Sequence, residues 1–264
     1  MIQIERVGNI AVMRINRPPA NAIDLELAAE FENALATIEN SSDAGALILT
    51  ATGNCFSAGL DLKAIPGYDR DQQKSMVMQV NRLFGRLYRM PLPTIAAVNG
   101  HAIAGGVILT LGCDYRIGAE GDYKLGLAEA RVGVAFPVSA MAIVKSELNH
   151  RVARLMVLTA RNLTPEEALA SGVLDELQTS DRLLDRALEV AREMAALPRE
   201  TYARIKRTMR GPALARIDDA VLNQTEPMLE SWLGDETRKA MTRALAQFDS
   251  TLHRQCARAP VRAS

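Results

Sequence analysis

The sequence predicts an α/β domain with a helical C-terminal part, and three observations carry that expectation. Short apolar runs that read as strands alternate with amphipathic helical segments through the first half of the chain. Two of these runs, Ala46–Thr50 and Thr94–Val98, lead straight into glycine-rich turns. From about Pro198 onward the chain is helical and arginine-rich, with no strand signal. At 264 residues there is material for one large domain, or for one domain with a small appendage.

Taken in order, Ile2-Gln3-Ile4 opens as an amphipathic strand and Ile10–Ile15 reads as a second. Arg17-Pro18-Pro19-Ala20-Asn21 breaks it. Leu27, Phe31, Leu35 and Ile38 recur at helical spacing, which predicts a helix from about Asp24 to Asn40. Ala46–Thr50 is a buried strand. Residues 64–73 are polar and contain Pro66 and Gly67, so a mobile loop is expected there. The next helix puts Val80, Leu83, Phe84 and Leu87 on one face, and Pro91 and Pro93 stop it. Short strands follow near Tyr115–Ile117 and Tyr123–Leu125. Residues 150–160 look helical. Thr164-Pro165-Glu166-Glu167 has the residues of a helix start: Thr as cap, Pro at the first position and Glu at the third. Gly172 stands where a C-terminal glycine ends that helix. Leu183, Leu184, Ala187, Leu188, Ala191 and Met194 form one more helical face. No low-complexity segment and no clear sequence repeat is visible.

Composition narrows the function. The hydrophobic fraction of 48% and charged fraction of 23% are ordinary for a soluble protein. Basic and acidic residues both number 31, so nothing points to nucleic acid or an anionic membrane. The most apolar stretch, 91–112, is interrupted by prolines, glycines, Asn99 and His101, so a buried strand-turn-helix is expected there instead of a membrane span. The N-terminus lacks the basic and apolar regions of a signal peptide, and a cytoplasmic location is expected. Cys55, Cys113 and Cys256 have no ligand spacing and read as inert thiols in a reducing compartment.

The residues able to do chemistry are few. The two turns are Cys55-Phe56-Ser57-Ala58-Gly59-Leu60-Asp61-Leu62-Lys63 and Asn99-Gly100-His101-Ala102-Ile103-Ala104-Gly105-Gly106. Each is followed by a segment that can be helical. Glycine lets backbone approach a ligand closely, and a helix start offers unpaired N–H groups. Two such starts converging make an oxyanion hole from main chain alone. By itself, a glycine turn after a strand is most often only a turn. Neither segment carries a Walker or dinucleotide-binding pattern. His101, His150 and His253 are isolated, so no metal site is expected. Ser57 lacks a His/Asp partnership and no G-x-S-x-G occurs. Glu129 lies in an apolar run between Gly126 and Gly133. Two readings are equally open: a desolvated carboxylate suited to proton transfer, or a surface glutamate opening a helix and paired with Arg131.

Together the two turns and the glutamate resemble the crotonase (enoyl-CoA hydratase/isomerase) superfamily. The resemblance runs from Asn16-Arg17-Pro18-Pro19-Ala20-Asn21-Ala22 through Leu158-Thr159-Ala160 and Ala168-x-x-Ser171-Gly172-Val173-Leu174. It implies a spiral of repeated ββα units over 1–197 and a helical trimerisation region over 198–264. It implies an acyl-CoA substrate and no prosthetic group, with a homotrimer or a dimer of trimers as the assembly. By motif position, the N–H groups of Leu60 and Gly105 would hold the thioester oxygen. Adenine contacts would fall near Ala58, Asp61 and Leu62, with Lys63 either near the phosphates or in solvent. Trp232, one of the C-terminal aromatics with Phe248, falls near a position where relatives hold a ring beside the adenine; a core or interface aromatic fits as well. Met76, Met78, Leu83, Phe84 and Phe136 are candidates for an acyl tunnel or for plain core.

Hydratases of this superfamily use two catalytic acids. One matches Glu129, and the other position is Ile108 here. Adding water needs one group to position it and another to deliver a proton, whereas moving a double bond needs a single base. Ala58–Leu62, Cys113–Ile117 and Gly126-Leu127-x-Glu129 further resemble the mitochondrial-type Δ3,Δ2-enoyl-CoA isomerases of fatty-acid oxidation, which also carry an apolar residue at the first position. The resemblance therefore implies an isomerase. Hydration, decarboxylation, thioester hydrolysis and a non-catalytic acyl-CoA-binding role are the alternatives.

Overall fold

A computed structural model describes residues 1–227 and 229–248, the last five of these as backbone only. His253, Cys256 and the side chain of Phe248 lie outside the described residues. Strands β1 (Ile2–Val7) and β2 (Ile10–Ile15) form an antiparallel hairpin across a turn at Gly8. Helix α1 (Leu25–Glu39) starts where Asp24 accepts the Leu27 N–H at 2.8 Å and ends at Asn40, as the periodicity predicts.

From here the chain repeats one unit three times. Strand β3 (Ala46–Ala51), strand β4 (Cys55–Ser57) and helix α2 (Arg70–Arg89) are followed by β5 (Thr94–Val98), β6 (His101–Ile103) and α3 (Gly105–Leu111). Then come β7 (Tyr115–Ala119), β8 (Leu125–Gly126) and α4 (Glu129–Val132). In each unit the first strand joins one sheet and the second joins another. The remaining elements are α5 (Val138–Glu147), α6 (His150–Thr159), β9 (Asn162–Leu163), α7 (Pro165–Ala170) and β10 (Glu176–Gln178). Helices α8 (Leu183–Ala195), α9 (Arg199–Leu222), α10 (Leu229–Trp232) and α11 (Asp235–Phe248) complete the chain. The larger sheet has the order β1-β2-β3-β5-β7-β10, parallel from β2 onward. The smaller has the order β4-β6-β8-β9. This is the spiral of ββα units. Strands β3 and β5 are buried along their whole length, as expected of parallel strands covered on both faces.

Three expectations need correction. Residues 64–73 are not a loop throughout: Ile65–Gly67 form a 3₁₀ turn, and α2 begins at Arg70. The cause is a capping box, in which Asp69 accepts from the Gln72 backbone while the Gln72 side chain accepts from the Asp69 N–H. The first glycine turn does not open a helix, since Leu60–Ala64 lie outside any helix; only the second does. Both turn segments also contain strands, β4 and β6, too short to show a period in sequence.

Helix α9 is tied to the core by buried charge. Asp114 takes Lys206 at 2.6 Å, Arg210 at 3.0 Å and the Tyr202 hydroxyl at 2.8 Å, and also accepts the Thr94 N–H. The Arg210 guanidinium lies 4.0 Å over the Tyr88 ring. Burial lowers the Lys206 ammonium pKa, an effect the Asp114 carboxylate opposes. Removing Asp114 leaves the buried Lys206 ammonium without a carboxylate and Arg210 with Glu147 alone. Asp114→Ala is therefore expected to cost about 3 kcal/mol in urea unfolding, whereas removal of the exposed Arg182–Asp185 pair changes stability by less than about 1 kcal/mol.

Candidate active site

The small sheet gathers the three segments singled out above. Strands β4, β6 and β8 are parallel neighbours, with Ser57 beside Ala102 and Ile103 beside Gly126. Their C-terminal ends therefore emerge at one edge, and each leads into one candidate: Leu60, Gly105 and Glu129. Glycine allows the turns carrying the first two to approach closely. A Cβ placed on Gly59, whose φ is +78°, would stand 2.8 Å from the Gly105 nitrogen, and one on Gly106 would stand 2.2 Å from the Ser57 carbonyl oxygen.

The two N–H groups are left unused. A parallel bridge joins Leu60 to Ile23, through Ile23 N–H to Gly59 O at 2.7 Å and Asp61 N–H to Ile23 O at 2.9 Å. Alternation along an extended segment turns Leu60's own N–H away from Ile23. Gly105 is the first residue of α3, so its N–H has no partner within the helix. Neither N–H has a partner among the described residues. Ala104 precedes Gly105 at φ 51° and ψ −118°, a region sparsely populated for residues with a side chain. Its N–H donates to Gly126 O at 2.7 Å, which helps hold the peptide that presents Gly105.

The Asn16–Ala22 segment braces this arrangement. The buried Asn21 side chain donates to Cys55 O at 2.6 Å and Thr52 O at 3.0 Å, and its backbone carbonyl accepts the Ser57 hydroxyl. Arg17 bridges Asp61 at 2.7 Å and Asp24 at 2.6 Å. Asp61 also accepts from the Lys63 and Ala64 N–H groups. Burial opposes ionisation of Asp61, but these donors outweigh it and hold its carboxyl below the usual range. The Asp61 side chain is thus occupied in shaping the loop. Arg17 and Asn21 were legible only as part of a motif, because Arg17 reaches the Asp61 turn and Asn21 the Thr52 and Cys55 carbonyls, all remote in sequence.

Glu129 begins α4. It is 8% exposed, and its Oε2 has no hydrogen-bond partner. Burial pushes its carboxyl up to about 7. Arg131 does not pair with it; that side chain donates to Ala160 O. Of the two readings open in the sequence, the desolvated carboxylate is the one found.

Leu60, Gly105, Ile108 and Glu129 line one cavity of about 210 Å³. Ala58, Asp61, Leu62, Lys63 and Trp232 line it too. Lys63 is exposed. Trp232 is 3% exposed, and its indole N–H donates to Ala135 O at 2.8 Å. Of the five tunnel candidates, only Phe84 reaches the cavity; Met76, Met78 and Leu83 are buried core, and Phe136 lies off the lining. Val80, Val132, Val134 and Pro137 take their place, set there by packing that local periodicity does not encode. His101 lies outside the lining. Its Nδ1 accepts the Lys124 N–H, and burial lowers its pKa. Among the described residues there is no group of three His, Cys, Asp or Glu able to hold a metal, and no helix is long and apolar enough to cross a membrane.

Residues 5–252 match the family model for enoyl-CoA hydratase/isomerase. The chain belongs to that family. This member is 29% identical to mouse mitochondrial enoyl-CoA delta isomerase 1 over 250 residues, spanning 94% of this chain and 85% of that protein. It is 28% identical to the short-chain-enoyl-CoA hydratase of Clostridium acetobutylicum over 241 residues, 90% of this chain and 92% of that one. Its fold is similar to the crystal structure of human mitochondrial delta3-delta2-enoyl-CoA isomerase, with a TM-score of 0.89 at 28% identity, covering 94% and 98% of the two chains. The family is one of enoyl-CoA-processing enzymes whose members include both isomerases and hydratases.

Proposed function

We propose that this family member isomerises 3-enoyl-CoA to trans-2-enoyl-CoA in fatty-acid oxidation. One observation carries the reading: Glu129 is the unpaired carboxylate of the cavity, and Ile108, 1% exposed, stands one helical turn beyond Gly105. The other charged lining residues are Lys63 and the mutually paired Arg17 and Asp61, and the Trp232 N–H is already engaged. Among the described residues, the one other acid of the lining, Asp61, is held by Arg17 and by the Lys63 and Ala64 N–H groups, so none is free to position water.

In this mechanism the thioester oxygen accepts from the Leu60 and Gly105 N–H groups. The Glu129 carboxylate removes a proton from carbon 2, and the electrons pass into a dienolate whose oxygen is held by the two amides. Glu129 then returns the proton at carbon 4, leaving the double bond between carbons 2 and 3. A base near pKa 7 suits both halves of the transfer. Fixed backbone donors stabilise the anion without reorganising, each worth about 3 kcal/mol of activation energy. Ala58, Asp61, Leu62 and Lys63 would receive the coenzyme. Residues 198–264 would act as the assembly region of a homotrimer or a dimer of trimers, for which exposed Ile205 and Met209 on α9 offer an apolar face.

The test is a paired ultraviolet assay. A trans-3-enoyl-CoA should gain absorbance as the double bond becomes conjugated, while a trans-2-enoyl-CoA should not lose it. Loss of absorbance from the 2-enoyl thioester at a comparable rate would identify a hydratase and overturn the single-base reading.

A further inference from the structure

We propose that Trp232 closes the acyl end of the cavity and sets the length of chain the site accepts, an inference that rests on the acyl-CoA reading above. The lining divides by chemistry. Arg17, Asp61, Lys63 and the reactive Glu129 supply charge, whereas Val80, Phe84, Ile108, Val132, Ala135 and Trp232 supply hydrocarbon. The indole belongs to the second group through its bond to Ala135 O, which turns its polar atom into the wall and leaves only hydrocarbon for the cavity.

The segment carrying Trp232 is held at several points. Glu226, just before α10, accepts from Asn81 on α2 at 2.8 Å and from the Val138 N–H that opens α5 at 2.9 Å. Glu230 pairs with Arg70 at 3.0 Å. Beyond it, α11 packs against the turn after α4, where a Cβ on Gly133 would stand 2.6 Å from the Ala240 Cβ. The same arm therefore reaches the helix lining the cavity and the helix bearing Glu129. A ring that is 3% exposed and pinned through its N–H is poorly placed to stack on a surface-bound adenine. The cavity, about 210 Å³ with its charged mouth open to solvent, is only modestly larger than an apolar cavity that accommodates benzene, so its apolar part takes a short acyl chain.

Binding of coenzyme A and of saturated six- and ten-carbon acyl-CoAs by calorimetry, and turnover of 3-enoyl-CoAs of the same two lengths, test this in the wild type, Trp232→Ala, Trp232→Leu and Trp232→Phe. The wild type should favour six carbons. Trp232→Ala should raise the ten-to-six ratio about tenfold in both affinity and kcat/KM. Trp232→Leu should move it in the same direction should the alanine variant fail to fold, and Trp232→Phe should keep the wild-type profile. An unchanged ratio, a uniform loss at both lengths, or weaker binding of coenzyme A itself would overturn the proposal. A shifted binding ratio with no turnover in any variant would uphold the wall and overturn only the isomerase reading.

Discussion

Glu129→Gln is expected to lower kcat/KM by about 10³-fold while leaving acyl-CoA binding within a few-fold of the wild type. Glutamine keeps the shape of the side chain but cannot accept the carbon-2 proton, and a positioned base is worth about 10²–10⁴ in rate. Calorimetric binding beside the 3-enoyl-CoA assay separates the two effects; a variant that keeps the wild-type rate removes Glu129 from the mechanism. In the wild type, kcat/KM should rise with pH through about 7, because only the carboxylate is a base and burial delays its ionisation. Stability should run the opposite way. The folded protein holds this proton more tightly than the unfolded chain does. The resulting contribution is complete below the ordinary glutamate value of 4.5 and disappears as pH rises through about 7. Urea unfolding should therefore find Glu129→Gln about 3 kcal/mol more stable than the wild type at pH 8 and nearly equal to it at pH 4. A group that increases rate while weakening the fold is expected where a carboxylate is kept unpaired for chemistry.

The second large effect is expected at Gly59. A methyl group there meets the Gly105 nitrogen at 2.8 Å and the Ile103 carbonyl oxygen at 2.9 Å, and it must adopt φ +78° as well. Backbone is what it strikes, so relief requires the two turns to separate. Gly59→Ala is expected to lower kcat by about 10²-fold by misaligning one of the two N–H donors, and to destabilise the fold by about 2 kcal/mol. Gly53→Ala is the control. Gly53 has φ +76° but nothing within 4 Å of the added methyl, so this variant incurs only the conformational cost of about 1 kcal/mol and should keep full activity. Equal kcat values for the two variants would mean that close approach of the turns does not matter to catalysis.

Several features were legible because their causes lie within a few residues of one another. The bounds of α1 follow from the apolar spacing of Leu27, Phe31, Leu35 and Ile38 and from the Asp24 cap. The start of α7 follows from Thr164, Pro165 and Glu167, and the turn after it from Gly172. The capping box at Asp69 and Gln72 obeys the same local rules, and composition concealed it behind Pro66 and Gly67. Strands of two or three residues such as β6, β8 and β9 have no period to read; they exist because each finds a neighbour to pair with. The threefold ββα repeat is likewise a repeat of pairing, not of residues.

The α/β class, the two glycine turns, the lone glutamate and the apolar Ile108 were determined by the sequence by itself, since each depends on residue type and short-range spacing. Tertiary structure decided which reading of Glu129 holds, because burial and the turning of Arg131 toward Ala160 depend on elements 29 residues apart. It also decided that the turns carrying Leu60 and Gly105 approach closely at Gly59, that Arg17 and Asn21 brace them, and that Phe84 and Trp232 border the cavity while Met76 and Leu83 do not. The physical reason is range: helix propensity and capping act within a turn or two of chain, whereas desolvation, close backbone approach and cavity shape are sums over segments that only the folded spiral brings together.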